Sequence, residues 1–449
     1  MARLLYNLLL HLALPLVLLR LWRRGRREPG YRAGWAERFG SYRFSTATDL
    51  RAAMYPVTAT AATAAHASVA RDTPAAPLIW LHAVSLGETL AARPLAQALR
   101  ERYPGHRLLI THMTATGRAA AVSEYGAIAQ LAWLPYDLPW AMDRFFDHFS
   151  PVLGIVMETE IWPNLARSAQ ARGVRLLLAN ARMSARSERS YRRALPLVRP
   201  AFAAFDVCAQ TTADATRLTG LGAHTASITG NLKFDTAVAE VPPDAAAKLL
   251  ALAGGRPVFL AASTREGEEA LLLDALARQP LPGVVTVIVP RHPQRFDEVA
   301  ALLDKRGVPY CRRSAGAVLP DDCAVLLGDS MGEMPLYYAM ADCAFIGGSL
   351  VPVGGQNMIE AAALGVPALY GPHTFNFTEA ATQAVEAGAA LRVTDAGALL
   401  QTVKALLTDP ARRALMREAG RRFCAAHRGA TARTMKAVAG LLSVSASRR

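Results

Sequence analysis

Cysteine is sparse: five residues in 449 (Cys208, Cys311, Cys323, Cys343 and Cys424), with no C-x-x-C among them. That excludes a zinc ribbon or a disulfide frame and reads as buried thiols in a reducing compartment. Lysine is equally scarce. Five lysines stand beside 45 arginines, so a formal charge of +14 is almost entirely guanidinium. No Walker sequence and no G-x-G-x-x-G occurs, which disfavours P-loop and dinucleotide chemistry. No zinc-finger, RNA-recognition or helix-turn-helix pattern accompanies the charge, so a nucleic-acid partner is not expected. An acidic lipid surface or an acidic substrate is the expected partner instead.

Long apolar runs are missing too, with one exception at the start. "LLYNLLLHLALPLVLLRLW", Leu4 to Trp22, is followed by "RRGRR", Arg23 to Arg27. About 18 apolar residues can span a bilayer, but Asn7, His11 and Pro15 weaken a span, and the run can equally lie in the interface. The basic cluster follows the apolar run, unlike a signal peptide, and by the positive-inside rule it keeps the bulk of the protein cytoplasmic. Residues 1–27 are therefore expected to be a membrane anchor.

A chain of 449 residues exceeds one ordinary core, and two domains are expected. Residues 41–77, rich in Ala, Thr and Pro with little periodicity, read as a mobile surface insertion. From Leu78 onward, short apolar runs such as "LIWLHAV", "VLGIVME" and "VRLLLANAR" alternate with helical patterns. The rhythm restarts after Pro243 with "RPVFLAAST", "VVTVIVPRH" and "CAFIGGS". Strands buried on both faces and separated by amphipathic helices predict a doubly wound parallel sheet in each half. The expected domains are 28–240 and 241–449, joined near 236–245.

Ligands of such sheets sit beyond the carboxyl ends of the strands, so the residues just after each apolar run are the candidates. Glu88 follows the first run in "HAVSLGE"; Glu158 and Glu160 follow another in "VMETEIWPN" and share a face if the chain stays extended. Lys233, in "GNLKFD", is one of few lysines where arginine is otherwise chosen. Arg291 and His292 follow "VVTVIV", placing a guanidinium that can fork onto a phosphate. Ser85/Glu88, Ser263/Glu266, Ser330/Glu333 and Asn357/Glu360 all fit a helix-capping pattern, and helix N-termini also bind phosphate. Gly347, Gly348, Gly354 and Gly355 permit close backbone approach before Glu360, a carboxylate able to accept from ribose hydroxyls.

The motifs "HAVSLGE", "METEIWPN", "ANARMSARS", "GNLKFD", "VPRHPQRF", "GDSMGEM", "FIGGSL", "NMIEA" and "GPHTFNF" occur in order over nearly the whole chain. Together they resemble the 3-deoxy-D-manno-octulosonic acid (Kdo) transferases. The resemblance implies an α/β GT-B fold of two facing Rossmann-like domains with an N-terminal membrane-anchor helix. It also implies transfer of Kdo, with inversion, from CMP-Kdo to a lipid A precursor (lipid IVA) at the cytoplasmic face of the inner membrane, in lipopolysaccharide synthesis. Carried over by motif, Glu88 is the general base, and Glu158 and Lys233 stabilise the transition state. Arg291, His292, Met331, Gly332, Glu333, Asn357, Met358, Ile359 and Glu360 bind the CMP. No metal and no cofactor beyond the donor is implied. Gln356, Met358 and Pro352-Val353 depart from the family's usual spelling. The rival readings are a non-catalytic module that binds anionic lipid, and a GT-B nucleotide-sugar epimerase.

Overall fold

The computed structural model describes residues 1–42, 76–236, 241–316, 318–375 and 377–446. The expected insertion at 41–77 lies almost wholly outside them, as does part of the joint at 236–245. The chain divides into two compact units, Met1–Thr236 with Arg428–Arg449, and Ala237–His427. The last helix, Ala430–Ala446, belongs to the first unit.

The first unit is built on a parallel sheet of β1 (Leu78–His82), β2 (Arg107–His112), β3 (Gln130–Trp133), β4 (Leu153–Met157), β5 (Arg175–Ala181), β6 (Phe205–Ala209) and β7 (Thr225–Ile228). Its order is β3-β2-β1-β4-β5-β6-β7. The side-chain period of two explains the double burial. Leu78 and Trp80 join the core on one face with Phe145, Phe146 and Phe202, while Ile79 and Leu81 join Leu95, Leu99, Ile110 and Tyr125 on the other. Each such side chain contributes about 1.5–3 kcal/mol by leaving water. Gly154 in β4 is required by that packing, because a Cβ there would sit 2.7 Å from the Trp80 ring.

The second unit repeats the plan with β8 (Val258–Thr264), β9 (Val285–Pro290), β10 (Tyr310–Arg312), β11 (Val325–Leu327), β12 (Cys343–Ile346), β13 (Ala368–Tyr370) and β14 (Ala390–Arg392). The order is β10-β11-β9-β8-β12-β13-β14, again all parallel. In both sheets the strand order reverses beside the first strand, between β1 and β4 and between β8 and β12. Crevices for ligands open at such switch points.

The N-terminal helix Ala2–Arg27 is long and apolar enough to cross a membrane. It is not independent of the first unit. Tyr6 Oη donates to Asp137 Oδ2 (2.9 Å), Asn164 Nδ2 donates to Asn7 Oδ1 (2.8 Å), and Leu21 packs with Tyr31 and Ala115. Asp137 in turn accepts from Asn164 N (3.0 Å) and Leu165 N (2.8 Å), capping the helix Pro163–Ala171 from a distant loop. Burial pushes its carboxyl up to about 6.

Candidate active site

At the first switch point, Glu88 sits in the helix Leu86–Ala91 that follows β1, and Glu158 directly follows β4. The expected capping box does not form. Ser85 occupies the N-cap position, yet its hydroxyl donates to Glu88 Oε1 (2.8 Å) and makes no cap bond, while the Val84 N–H, not that of Ser85, donates to Glu88 Oε2 (2.9 Å). The S-x-x-E spelling thus holds the carboxylate in place. Burial, then the negative charge of Glu158, push the Glu88 carboxyl up to about 7, against the two hydrogen bonds; Glu160 adds a smaller push. A carboxylate at that value is half ionised near neutrality, the working range of a general base.

Glu158 does not continue the strand. Its φ of 57° turns the chain into the left-handed region, so Glu158 and Glu160 do not lie on one extended face. Glu158 instead accepts from Arg182 Nε (3.0 Å), and Thr159 Oγ1 donates to the Arg182 carbonyl (2.7 Å). Glu160 accepts from Trp162 Nε1 (2.8 Å), and its carboxyl is raised by burial and by Glu158.

Lys233 reaches the same charges from a 3-10 turn, Leu232–Asp235. The turn is held from three sides. Leu232 N donates to Asn180 Oδ1 (3.0 Å), Lys233 N to Asn231 Oδ1 (3.0 Å), and Asp235 accepts from Gly429 N (2.7 Å) and Thr431 N (2.5 Å) at the start of the last helix. Burial lowers the ammonium's pKa; Glu158 and Glu88 oppose that and Arg182 adds to it. Glu88, Glu158, Glu160, Arg182 and Lys233 therefore form one electrostatic cluster. His82, which ends β1, is fully buried and neutral, with its pKa lowered by burial to about 3; it is not a base for this site.

The second unit gathers its candidates in the same way. Arg291 follows β9 and donates from its backbone N–H to the Thr264 carbonyl (3.0 Å). His292 Nε2 lies 2.6 Å from Arg265 Nη1, and burial together with Arg265, Arg291 and Arg295 lowers its pKa. Glu333 accepts from Ser330 Oγ (2.6 Å) and Arg313 Nη2 (3.1 Å), and Glu360 from Asn357 Nδ2 (3.0 Å). Burial raises the Glu360 carboxyl, while Asn357 and the charge of Arg291 lower it. Met331 is exposed on the loop after β11 beside Gly332, whereas the side chains of Met358 and Ile359 are buried, so those two offer a ligand only backbone.

Here too the capping expectation changes. The helix after β8 is Glu268–Arg278 with Gly267 at its N-cap, not a helix capped by Ser263, which sits at φ 55° where the strand register shifts. Glu333 is itself an N-cap residue, and Asn357 Oδ1 accepts from Ile359 N (3.1 Å).

Sequence reasoning missed the residues that build this corner. Buried Glu268 accepts N–H donors from Arg265 (2.9 Å), Gly348 (2.6 Å) and Leu350 (2.9 Å), pinning the loop after β12. Glu269 takes a two-point fork from Arg295 (2.8 and 3.1 Å) and a bond from Thr264 Oγ1 (2.7 Å). At Gly347 a Cβ would stand 2.4 Å from the Ser263 carbonyl oxygen, so only glycine lets the two switch-point loops approach. The signal was "REGEEA", three glutamates of which the capping spelling singled out Glu266. Among the described residues no three His, Cys, Asp or Glu side chains come together to hold a metal ion.

Residues 33–236 match the family model described as 3-deoxy-D-manno-octulosonic-acid transferase (kdotransferase), and residues 307–423 match glycosyl transferases group 1. A 3-deoxy-D-manno-octulosonic acid transferase of Bordetella pertussis is 46% identical over 98% of this chain and 99% of its own length. One from Haemophilus influenzae is 35% identical over 97% of each. Among solved structures, a glycosyltransferase from Rickettsia africae superposes with a TM-score of 0.57 at 13% identity, covering 82% of this chain and 98% of its own, which shows the fold alone. The chain therefore belongs to the Kdo transferase family and is a glycosyltransferase of the GT-B fold.

Proposed function

We propose that this enzyme moves Kdo from CMP-Kdo to a sugar hydroxyl of a lipid A precursor, with inversion at the anomeric carbon, at the cytoplasmic face of the inner membrane. The observation that carries the reading is the setting of Glu88: a carboxylate clamped by Ser85 and Val84 at a switch point and raised to about 7. Its free lone pairs take the acceptor's hydroxyl proton as that oxygen attacks the anomeric carbon, and the bond to the CMP phosphate breaks with its electron pair leaving on CMP. Glu158, coupled to Glu88 through charge, offsets the positive character that develops on the sugar, while the Lys233 ammonium offsets negative charge in the transition state.

On the second unit, Arg291 and His292 receive the phosphate, with Met331, Gly332 and Glu333 and with Asn357, Met358, Ile359 and Glu360 placing the nucleoside. Glu360 accepts from the ribose. A single departing phosphate carries less charge than a diphosphate, and the arginines beside His292 answer it. Incubation of the purified protein with CMP-Kdo and a tetraacylated lipid A precursor, followed by mass spectrometry of the lipid, tests the reading. The expected product is heavier by whole Kdo residues. Hydrolysis of CMP-Kdo with unmodified lipid, or no consumption of donor, would refute it.

A further inference from the structure

The N-terminal helix has two unlike faces. Tyr6, Asn7, Leu10, Ala13, Leu14, Val17, Leu18, Leu21 and Gly25 are partly or fully covered by the first unit, at three- and four-residue spacing. The opposite face shows Leu4, Leu5, Leu8, Leu9, Leu12, Leu16, Leu19 and Trp22, each 43–69% exposed. At about 100° per residue this second set fills an arc of about 140° along the whole length of the helix. Both ends of the covered face are fixed. Tyr6 and Asn7 hydrogen-bond to Asp137 and Asn164, both buried, and some 15 residues later Leu21 is buried against Tyr31 and Ala115.

A helix fixed at both ends to a polar, folded unit cannot place its middle across about 30 Å of hydrocarbon without carrying that unit in as well. Crossing would strip Asn7 and Tyr6 of their partners and strand them in lipid. We infer that the helix Ala2–Arg27 lies in the plane of the membrane surface and does not cross it, its leucine face sunk into the outer acyl layer. This rests on the membrane association proposed above and settles the helix's orientation within it.

The occupant of the stripe is an anionic bilayer. Arg23 and Arg26 are exposed within the apolar arc and Arg20 is exposed at its edge, where lipid phosphates would meet them. Arg26 also stacks on Trp22, 4.0 Å from the ring centroid, an interfacial pairing with an apolar body and a charged rim. A second copy of the chain docked in parallel on the same stripe would bring Arg20, Arg23 and Arg26 against their counterparts. In-plane helices of this kind bind through buried apolar area plus attraction to acidic headgroups.

The test uses the full chain with an N-terminal epitope tag, expressed in a Gram-negative host. An impermeant protease is applied to intact spheroplasts and to inside-out membrane vesicles. The tag should be removed only in the vesicles, because an in-plane helix leaves Met1 on the cytoplasmic side. Removal from intact spheroplasts means the helix crosses and overturns the inference while leaving membrane association standing. Recovery of the chain in the soluble fraction overturns both. Leu12→Glu should weaken binding of the purified protein to phosphatidylglycerol-containing vesicles by at least about tenfold, with the Asn164 and Leu165 amides that donate to Asp137 still protected from exchange. Unchanged vesicle binding accompanied by conversion of a dimer to a monomer would assign the stripe to a second copy instead.

Discussion

Replacing Glu88 by glutamine separates what the carboxylate does for the fold from what it does for the reaction. In the native unit its pKa stands at about 7 against an ordinary 4.5. A carboxyl raised by folding is held preferentially protonated, so its contribution is fully present below about 4.5 and is lost as pH rises through 7. At about 1.4 kcal/mol per unit, the wild type gives up roughly 3 kcal/mol across that window. Glutamine has no such titration, can still accept from Val84 N and can donate to Ser85 Oγ. Glu88→Gln should therefore match the wild type in stability at pH 4.5 and exceed it by up to about 3 kcal/mol at pH 8, read by urea unfolding at both pH values. Kdo transfer should fall by about 10² to 10⁴-fold, since an amide cannot take the acceptor's proton. A variant less stable than wild type at pH 8 would refute the burial and charge argument. One that transfers Kdo at the wild-type rate would refute the base.

Other residues carry separate expectations. Arg291→Ala should weaken CMP-Kdo binding by about 10- to 150-fold in calorimetry, the loss of one charge-assisted contact of about 1.5–3 kcal/mol. Arg182→Met removes one of the two cations, with Lys233, that offset the Glu158 charge beside Glu88, so the acid limb of activity should move to higher pH by roughly half a unit to one unit, with Arg182→Lys moving it less. Arg295→Met strands Glu269, which is 1% exposed, and should cost about 3–5 kcal/mol of stability as seen in chemical unfolding.

The fold was legible because its signal is periodic. Runs such as Leu78–His82 and Leu153–Met157 are apolar at every position, and that alone demands cover on both faces. The ends of those runs located Glu88, Glu158, Lys233 and Arg291 without any knowledge of contacts. What stayed hidden depends on pairings between distant residues. Nothing in the sequence around Asp137 announces that its carboxylate would cap a helix near 164 and hold Tyr6, or that Glu268 would reach Gly348 and Leu350 across 80 residues. The S-x-x-E spelling was misleading for a physical reason. A serine hydroxyl three residues from a glutamate can accept from a backbone N–H or donate to the carboxylate, and at Ser85 and Ser330 it donates. The left-handed turn at Glu158 was equally silent, since a glutamate there gives no glycine-like cue.

The most direct measurement is the pH dependence of kcat/KM for the lipid acceptor, from pH 5 to 9 at saturating CMP-Kdo, on the wild type and on the residual activity of Glu88→Gln. The wild type should lose activity with unit slope below an apparent pKa near 7, the value burial and Glu158 give Glu88. The variant's residual rate should be flat over that range, which separates the base from ionisation of the acceptor's own phosphates. A wild-type profile flat down to pH 5.5, or an acid limb that survives unchanged in Glu88→Gln, would contradict Glu88 as the group that takes the acceptor's proton.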